Sequence, residues 1–135
     1  SISATATGGR EGAVKTADGA LDLGLAPPTE LGGSGNGHNP EQLFAAGYAA
    51  CYLGAMKFAT TQDASLAKVP DDATVSATVG IGPRSDTGFG LKVDLTVTLP
   101  GVDAGDAQRV ADAGHVICPY SHATKGNIDV TTTIA

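Results

Sequence analysis

Residues 39–51, NPEQLFAAGYAAC, combine a helix-start signal with an apolar segment that ends on a cysteine. Asn39 is a favourable helix N-cap, and Pro40 suits the first helical position. Gln42 stands where the second partner of a capping box belongs. This pattern predicts a helix from Asn39 to about Thr61 that is buried on most sides.

Composition limits the class of protein around this helix. A chain of 135 residues fits a single domain over 1–135. Its formal net charge of −6 argues against a nucleic-acid partner, which favours a basic face. The longest uncharged apolar run, Leu43–Met56, is too short for a bilayer crossing of about 20 residues. Charged residues make up only 16%, so we expect a partner chain to cover part of the surface.

Cysteine usage predicts the compartment. The opening residues, SISATATGGREG, have no basic flank followed by an apolar stretch, so they are not expected to be a signal peptide. Two cysteines without such a signal indicate a reducing, cytoplasmic environment. Cysteines in that environment are more often catalytic or metal-binding than structural.

Alternation and turn signals predict the remaining elements. A short strand is expected over 3–7, and the Asp18-Gly19 turn predicts a hairpin within 13–25. Further strands are predicted over 73–81, 91–99 and 127–134, with a second helix from Asp103 to about Cys118. The mixture of strands and helices along the chain predicts an α+β fold.

The two thiols lie on the predicted apolar faces of the two helices. Cys51 lies on the first helix and Cys118 ends the stripe of the second, so both are expected to pack into one core. A free cysteine is commonly buried as a small hydrophobic residue, and burial alone leaves it inert. A reactive thiolate needs a cation. From the residues alone, Arg10 in GGREG is most simply an ordinary loop charge.

Two other kinds of site remain open at this level. His115, Cys118 and His122, together with Cys51, have the ligand types of a two-cysteine, two-histidine zinc site, although Pro119 is expected to end the helix between them. A Cys51–His115 pair is compatible with a thiol hydrolase, but no oxyanion-hole signature supports it.

Three segments carry a resemblance to a known family: ATATGGREG (4–12), PPTELGGSGNGHNPEQLFAAGYAACY (27–52) and CPYSHATKGNIDV (118–130). In their order and spacing they resemble the organic hydroperoxide resistance (Ohr) branch of the Ohr/OsmC family over essentially the whole chain. The resemblance implies an α+β fold in which antiparallel sheets pack around a buried central helix, and an intertwined homodimer.

The resemblance also implies a thiol-dependent peroxidase. Cys51 matches the family's peroxidatic cysteine and Cys118 its resolving cysteine. Arg10 matches the arginine that stabilises the thiolate, and Glu41 the carboxylate that holds that arginine. The implied cycle passes through a Cys51 sulfenic acid and a Cys51–Cys118 disulfide, with no bound cofactor or metal. The implied reductant is an external dithiol, the dihydrolipoyl group of lipoylated proteins.

An apolar pocket around Cys51 is expected to favour organic and fatty-acid hydroperoxides over hydrogen peroxide. Its candidate walls are Phe44, Tyr48, Leu43 and Phe89.

Helix geometry suggests how such a site is shared. Glu41 and Cys51 are ten residues apart on one helix, hence about 15 Å apart along its axis. An Arg10 bound to Glu41 would hardly reach Cys51 of its own chain. We therefore expect a composite site, to which a second chain contributes part of the Arg–Glu–Cys network.

Overall fold

A computed structural model describes all residues from Ser1 to Ala135. The chain forms two compact units, residues 1–43 and 44–135. No α-helix in it combines the length and apolarity that a bilayer crossing requires.

The first unit is built on a small antiparallel sheet. Its strands are β1 (Ala4–Thr7), β2 (Ala13–Thr16) and β3 (Asp22–Gly24), in the order β1-β2-β3. The predicted strand and hairpin are confirmed, and the side chain of Asp18 closes the turn by accepting from Thr16 Oγ1 at 2.7 Å. No residue of 1–43 is fully buried, so this unit has no core of its own.

The second unit holds the larger sheet and most of the long helix, α1 (Pro40–Gln62). Its strands are β4 (Thr74–Pro83), β5 (Phe89–Thr98) and β6 (Asp129–Ile134), in the order β4-β5-β6. Two further helices, α2 (Ala104–Ile117) and α3 (Pro119–Thr124), connect β5 to β6.

The α+β prediction is confirmed, with one difference in strand pairing. β4 and β5 are antiparallel as expected, but β6 runs parallel to β5. The physical reason is the connection: a parallel pair needs a crossover of a dozen residues or more, and α2 with α3 supplies it.

Both predicted long helices are confirmed to within two residues. α2 begins after Asp103, whose side chain accepts from the Asp106 N–H at 3.0 Å as an N-cap. The sequence reasoning missed α3. Pro119 does end α2, but it also opens a new helix, because proline is pre-organised for the first helical position.

The core lies between α1, α2 and the larger sheet. α1 contributes Tyr48, Tyr52 and Met56, each with no exposed surface. The opposite face of α1, which includes Ala46, Ala50 and Gly54, is exposed. In this single chain the helix is therefore buried on one side only, not on most sides.

Candidate functional site

A capping box fixes the start of α1. Asn39 Oδ1 accepts from the Gln42 N–H at 2.9 Å, and Gln42 Oε1 accepts from the Asn39 N–H at 3.0 Å. This reciprocal pair is the one that the sequence predicts, and it satisfies two backbone donors at the helix start. It also fixes the orientation of the first turn, which carries Glu41.

Arg10 and Glu41 form a two-pronged ion pair within the first unit. Arg10 Nη2 lies 2.7 Å from Glu41 Oε1, and Arg10 Nη1 lies 2.9 Å from Glu41 Oε2. Gly8 and Gly9 have φ values of 70° and 62°, the left-handed region that favours glycine, so the chain turns sharply just before Arg10. The Arg10 hydrogen bond lowers the pKa of Glu41. Arg10 is therefore held by a specific partner.

The two thiols lie together in the second unit. Cys51 is half-buried on α1, and Cys118 is fully buried at the junction between α2 and α3. Their sulfur atoms are 3.4 Å apart, and both cysteines are free. The expectation that the two helix faces share one core is confirmed.

Burial shapes the acidity of Cys51. Desolvation raises the pKa of the Cys51 thiol, the Tyr120 backbone N–H lowers it, and the adjacent Cys118 raises it again. The net direction is upward. A thiol with a raised pKa carries little thiolate at neutral pH, so Cys51 needs a positive group nearby to become nucleophilic.

An aromatic cluster adjoins the thiol pair. The rings of Phe44 and Tyr48, both predicted pocket walls, meet Tyr120 with centroids 6.0 and 5.8 Å away. Tyr120 approaches α1 at Gly47, where an added Cβ would lie 2.9 Å from the phenolic oxygen. The sequence reasoning missed Tyr120, although its place two residues after Cys118 was a signal for it.

The other two predicted walls take no part in these ring contacts. Leu43 is half-buried one residue before Phe44 on α1. Phe89 opens β5, is 69% exposed and lines a different cavity, of about 360 Å³, with Arg84 and Ile128.

The two alternative sites are not assembled. No three His, Cys, Asp or Glu side chains of the chain converge to hold a metal ion. His115 engages both ring nitrogens with hydroxyl groups, those of Ser121 and Thr132, rather than with Cys51. His122 is exposed.

Comparisons with known proteins place this arrangement in a family. Residues 33–133 match the family described as OsmC-like protein. An organic hydroperoxide resistance protein from Xanthomonas axonopodis pv. citri is 53% identical over 133 residues, covering 98% of this chain and 92% of the relative. The chain belongs to the organic hydroperoxide resistance branch of the OsmC-like family.

Solved structures of this branch show the same fold. A crystal structure of an organic hydroperoxide resistance protein from Elizabethkingia anophelis has a TM-score of 0.91 and 44% identity, covering 100% of this chain and 95% of that one. The structure of the organic hydroperoxide resistance protein OhrB of Bacillus subtilis has a TM-score of 0.88 and 38% identity, covering 100% and 98%. The resemblance found in the sequence is therefore confirmed across the whole chain.

Proposed function

We propose that this protein is a thiol-dependent peroxidase that reduces organic hydroperoxides to alcohols in defence against oxidative stress. The observation that carries the proposal is the contact of two free thiols, with Cys51 Sγ and Cys118 Sγ 3.4 Å apart. The names of the relatives, organic hydroperoxide resistance proteins, support the class of substrate.

The proposed cycle has two chemical steps. The Cys51 thiolate attacks one oxygen of ROOH, the O–O bond breaks, and the leaving alkoxide takes up a proton to give the alcohol. Cys51 becomes a sulfenic acid, which Cys118 attacks to form the disulfide with release of water. The sulfurs then close from 3.4 Å to about 2.05 Å, so only a small rearrangement is needed.

The Arg10–Glu41 pair is proposed to supply the charge that Cys51 needs. A guanidinium near a thiolate favours the charged form against the desolvation that raises the pKa of Cys51. Glu41 accepts from both outer nitrogens of Arg10, so the guanidinium is held in one orientation before it meets the thiolate. Catalytic roles therefore fall on Cys51, Cys118, Arg10 and Glu41.

The proposed substrate is hydrophobic. Phe44 and Tyr120, which are both partly exposed, form an aromatic surface beside the thiol pair, and the fully buried ring of Tyr48 packs behind them. Such a surface favours an alkyl or fatty-acyl hydroperoxide over hydrogen peroxide, because burying the chain removes apolar area from water. Leu43 and Phe89 remain further candidates.

We propose that the working unit is an intertwined homodimer with a composite site. The first unit has no buried residue, and the face of α1 with Ala46, Ala50 and Gly54 is exposed and carries one charged side chain, that of Lys57. Phe58, on the same face, is 54% exposed. A second copy would cover these surfaces, consistent with only 16% charged residues.

Turnover requires an external dithiol that reopens the disulfide by exchange. We propose dihydrolipoyl groups of lipoylated proteins in the cytoplasm, where thiol reductants persist.

The first test is a thiol count and an intact mass before and after one equivalent of cumene hydroperoxide. Wild type should lose both thiols and two hydrogens, Cys51→Ser should not react, and Cys118→Ser should gain oxygen. A wild-type protein that keeps both thiols would refute the peroxidase proposal. Cys51→Ser that still consumes peroxide would move the attacking role to another residue.

A further inference from the structure

A chain of hydroxyl groups and one imidazole lies beside the thiol pair. His115 Nδ1 of α2 is 2.7 Å from Ser121 Oγ of α3, and His115 Nε2 is 2.7 Å from Thr132 Oγ1 of β6. Ser121 Oγ is also 2.9 Å from the phenolic oxygen of Tyr48 on α1. Four elements therefore meet through one continuous set of hydrogen bonds.

We call this set the His115 network. His115 and Thr132, at its outer end, are half-buried, and the other two members are buried. Tyr48 has no exposed surface, and Ser121 is 7% exposed. The Tyr48 hydroxyl has a second contact, 3.3 Å to Thr124 Oγ1. No fully buried side-chain nitrogen or oxygen lacks a partner. Such fully satisfied networks specify one arrangement, because breaking one bond leaves another polar group unpaired in a low dielectric.

The turn that this network holds faces both sulfur atoms. The Ser121 backbone N–H donates to Cys118 Sγ at 3.5 Å. The neighbouring Tyr120 N–H acts on Cys51 and lowers its pKa. Residues 118–121 therefore present successive amides to the two thiols, and the Ser121 side chain ties that turn to α1 and α2.

We propose that His115, Ser121 and Tyr48 are positioning residues for the resolving step, holding the 118–121 turn so that Cys118 Sγ stays in attacking reach of Cys51. This inference rests on the proposed function. The step it serves is balanced: the Cys118 S–H and the Cys51 S–OH form one S–S bond and release water, with no added oxidant.

The network matters because the sulfenic acid has two fates. It condenses with Cys118, or a second hydroperoxide oxidises it to sulfinic acid while a second alcohol leaves. A near-attack separation is about 3–3.5 Å, and a misplacement of 1 Å costs on the order of 10²-fold in rate. Loosening the 118–121 turn should therefore slow condensation and shift Cys51 toward sulfinic acid.

The test measures the fraction of oxidised Cys51 that ends as sulfinic acid rather than disulfide, by mass spectrometry at fixed cumene hydroperoxide. Ser121→Ala removes the central hydroxyl but keeps the backbone N–H. We expect its sulfinic fraction per oxidation event to rise at least about tenfold. Tyr48→Phe removes one hydroxyl of the network, so its sulfinic fraction should also rise, but by less.

A matched control separates positioning from general destabilisation. Tyr52 lies one turn after Tyr48, is equally buried, and donates to the Ala111 carbonyl at 2.6 Å, outside the network. Tyr52→Phe therefore removes the same atom at comparable structural cost. Its sulfinic fraction should match wild type, even where its melting temperature falls as far as that of Tyr48→Phe.

A pair of His115 variants tests which ring nitrogen of His115 positions the 118–121 turn. The amide of Asn reaches the place of Nδ1, which faces Ser121, and the longer Gln reaches the place of Nε2, which faces Thr132. Both variants lose the stacking of His115 on Tyr52, whose rings are 4.4 Å apart. The sulfinic fraction of His115→Asn should stay near that of wild type, because the contact with Ser121 is kept. The sulfinic fraction of His115→Gln should rise toward that of Ser121→Ala.

The outcomes distinguish this inference from the proposed function. If wild-type Cys51 does not react with the hydroperoxide, the peroxidase proposal itself is wrong. If Cys51 reacts but Ser121→Ala and Tyr52→Phe give the same sulfinic fraction as wild type, only the positioning role is overturned. Equal fractions in His115→Asn and His115→Gln would also contradict it.

Discussion

The two units of the chain differ in the interactions that stabilise them internally. Residues 44–135 enclose a core in which Tyr48, Tyr52 and Met56 have no exposed surface. Residues 1–43 bury nothing fully, and their most specific contact is the Arg10–Glu41 ion pair. The unit with the core carries the thiols, and the unit without one carries the charge proposed to activate them.

The largest effect is expected when the Arg10–Glu41 pair and the Cys51 thiol are inactivated on different chains. Glu41→Ala and Cys51→Ser should each be nearly inactive as homodimers. Coexpressed in equal amounts, half of the dimers are mixed, and each mixed dimer of a composite site has one intact site. Peroxidase activity should therefore recover to about a quarter of wild type.

The control for this mixing uses two residues of the same unit. Cys51 and Cys118 are 3.4 Å apart within one chain, so a mixture of Cys51→Ser and Cys118→Ser subunits should recover no intramolecular disulfide. If the Glu41→Ala and Cys51→Ser mixture also recovers nothing, the site is not shared between chains.

The next effect tests the packed core. Gly114 of α2 faces α1 so closely that an added Cβ would lie 2.5 Å from Met56 Cγ. Gly114→Ala should destabilise the fold by about 1–3 kcal/mol, because overpacking forces side chains or backbone to shift. Urea unfolding measures it. Gly105→Ala on the same helix, whose Cβ would make only ordinary contact with Asp103, should cost nothing. Equal effects would mean that the core absorbs the extra methyl group.

The smallest effect is a difference in pH dependence between the units. Burial lowers the pKa of His115, although Asp112 opposes the shift. Below about pH 6.5 the unfolded chain binds a proton at this histidine that the folded chain does not bind. The free energy of unfolding therefore decreases as the pH is lowered. Glu41 has a lowered pKa in the folded chain. Its contribution to the stability of the fold is therefore present above its ordinary pKa and is lost at more acidic pH.

Urea midpoints of wild type, His115→Gln and Glu41→Gln across pH 3–7 separate the two windows. Wild type should lose more stability than His115→Gln between pH 7 and 5, and more than Glu41→Gln only below about pH 4.5. A His115→Gln curve parallel to wild type between pH 7 and 5 would show that His115 titrates normally.

Elements whose signals are local could be predicted from the amino-acid sequence. The Asn39–Gln42 capping box and the Asp18-Gly19 hairpin each act within a few residues, and the structure contains both. These signals are readable because they satisfy backbone groups of adjacent residues. The family resemblance added the candidate roles of Arg10, Glu41, Cys51 and Cys118, which periodicity and spacing alone did not assign.

Contacts between residues far apart in the chain could not be predicted from the sequence and are seen only in the folded structure. Arg10 meets Glu41 across 31 residues, Cys51 meets Cys118 across 67, and Tyr48 meets Ser121 across 73. The parallel pairing of β6 likewise depends on where α2 and α3 return the chain. Such contacts arise from how whole faces pack, and no local dihedral preference encodes which distant partner a face will meet.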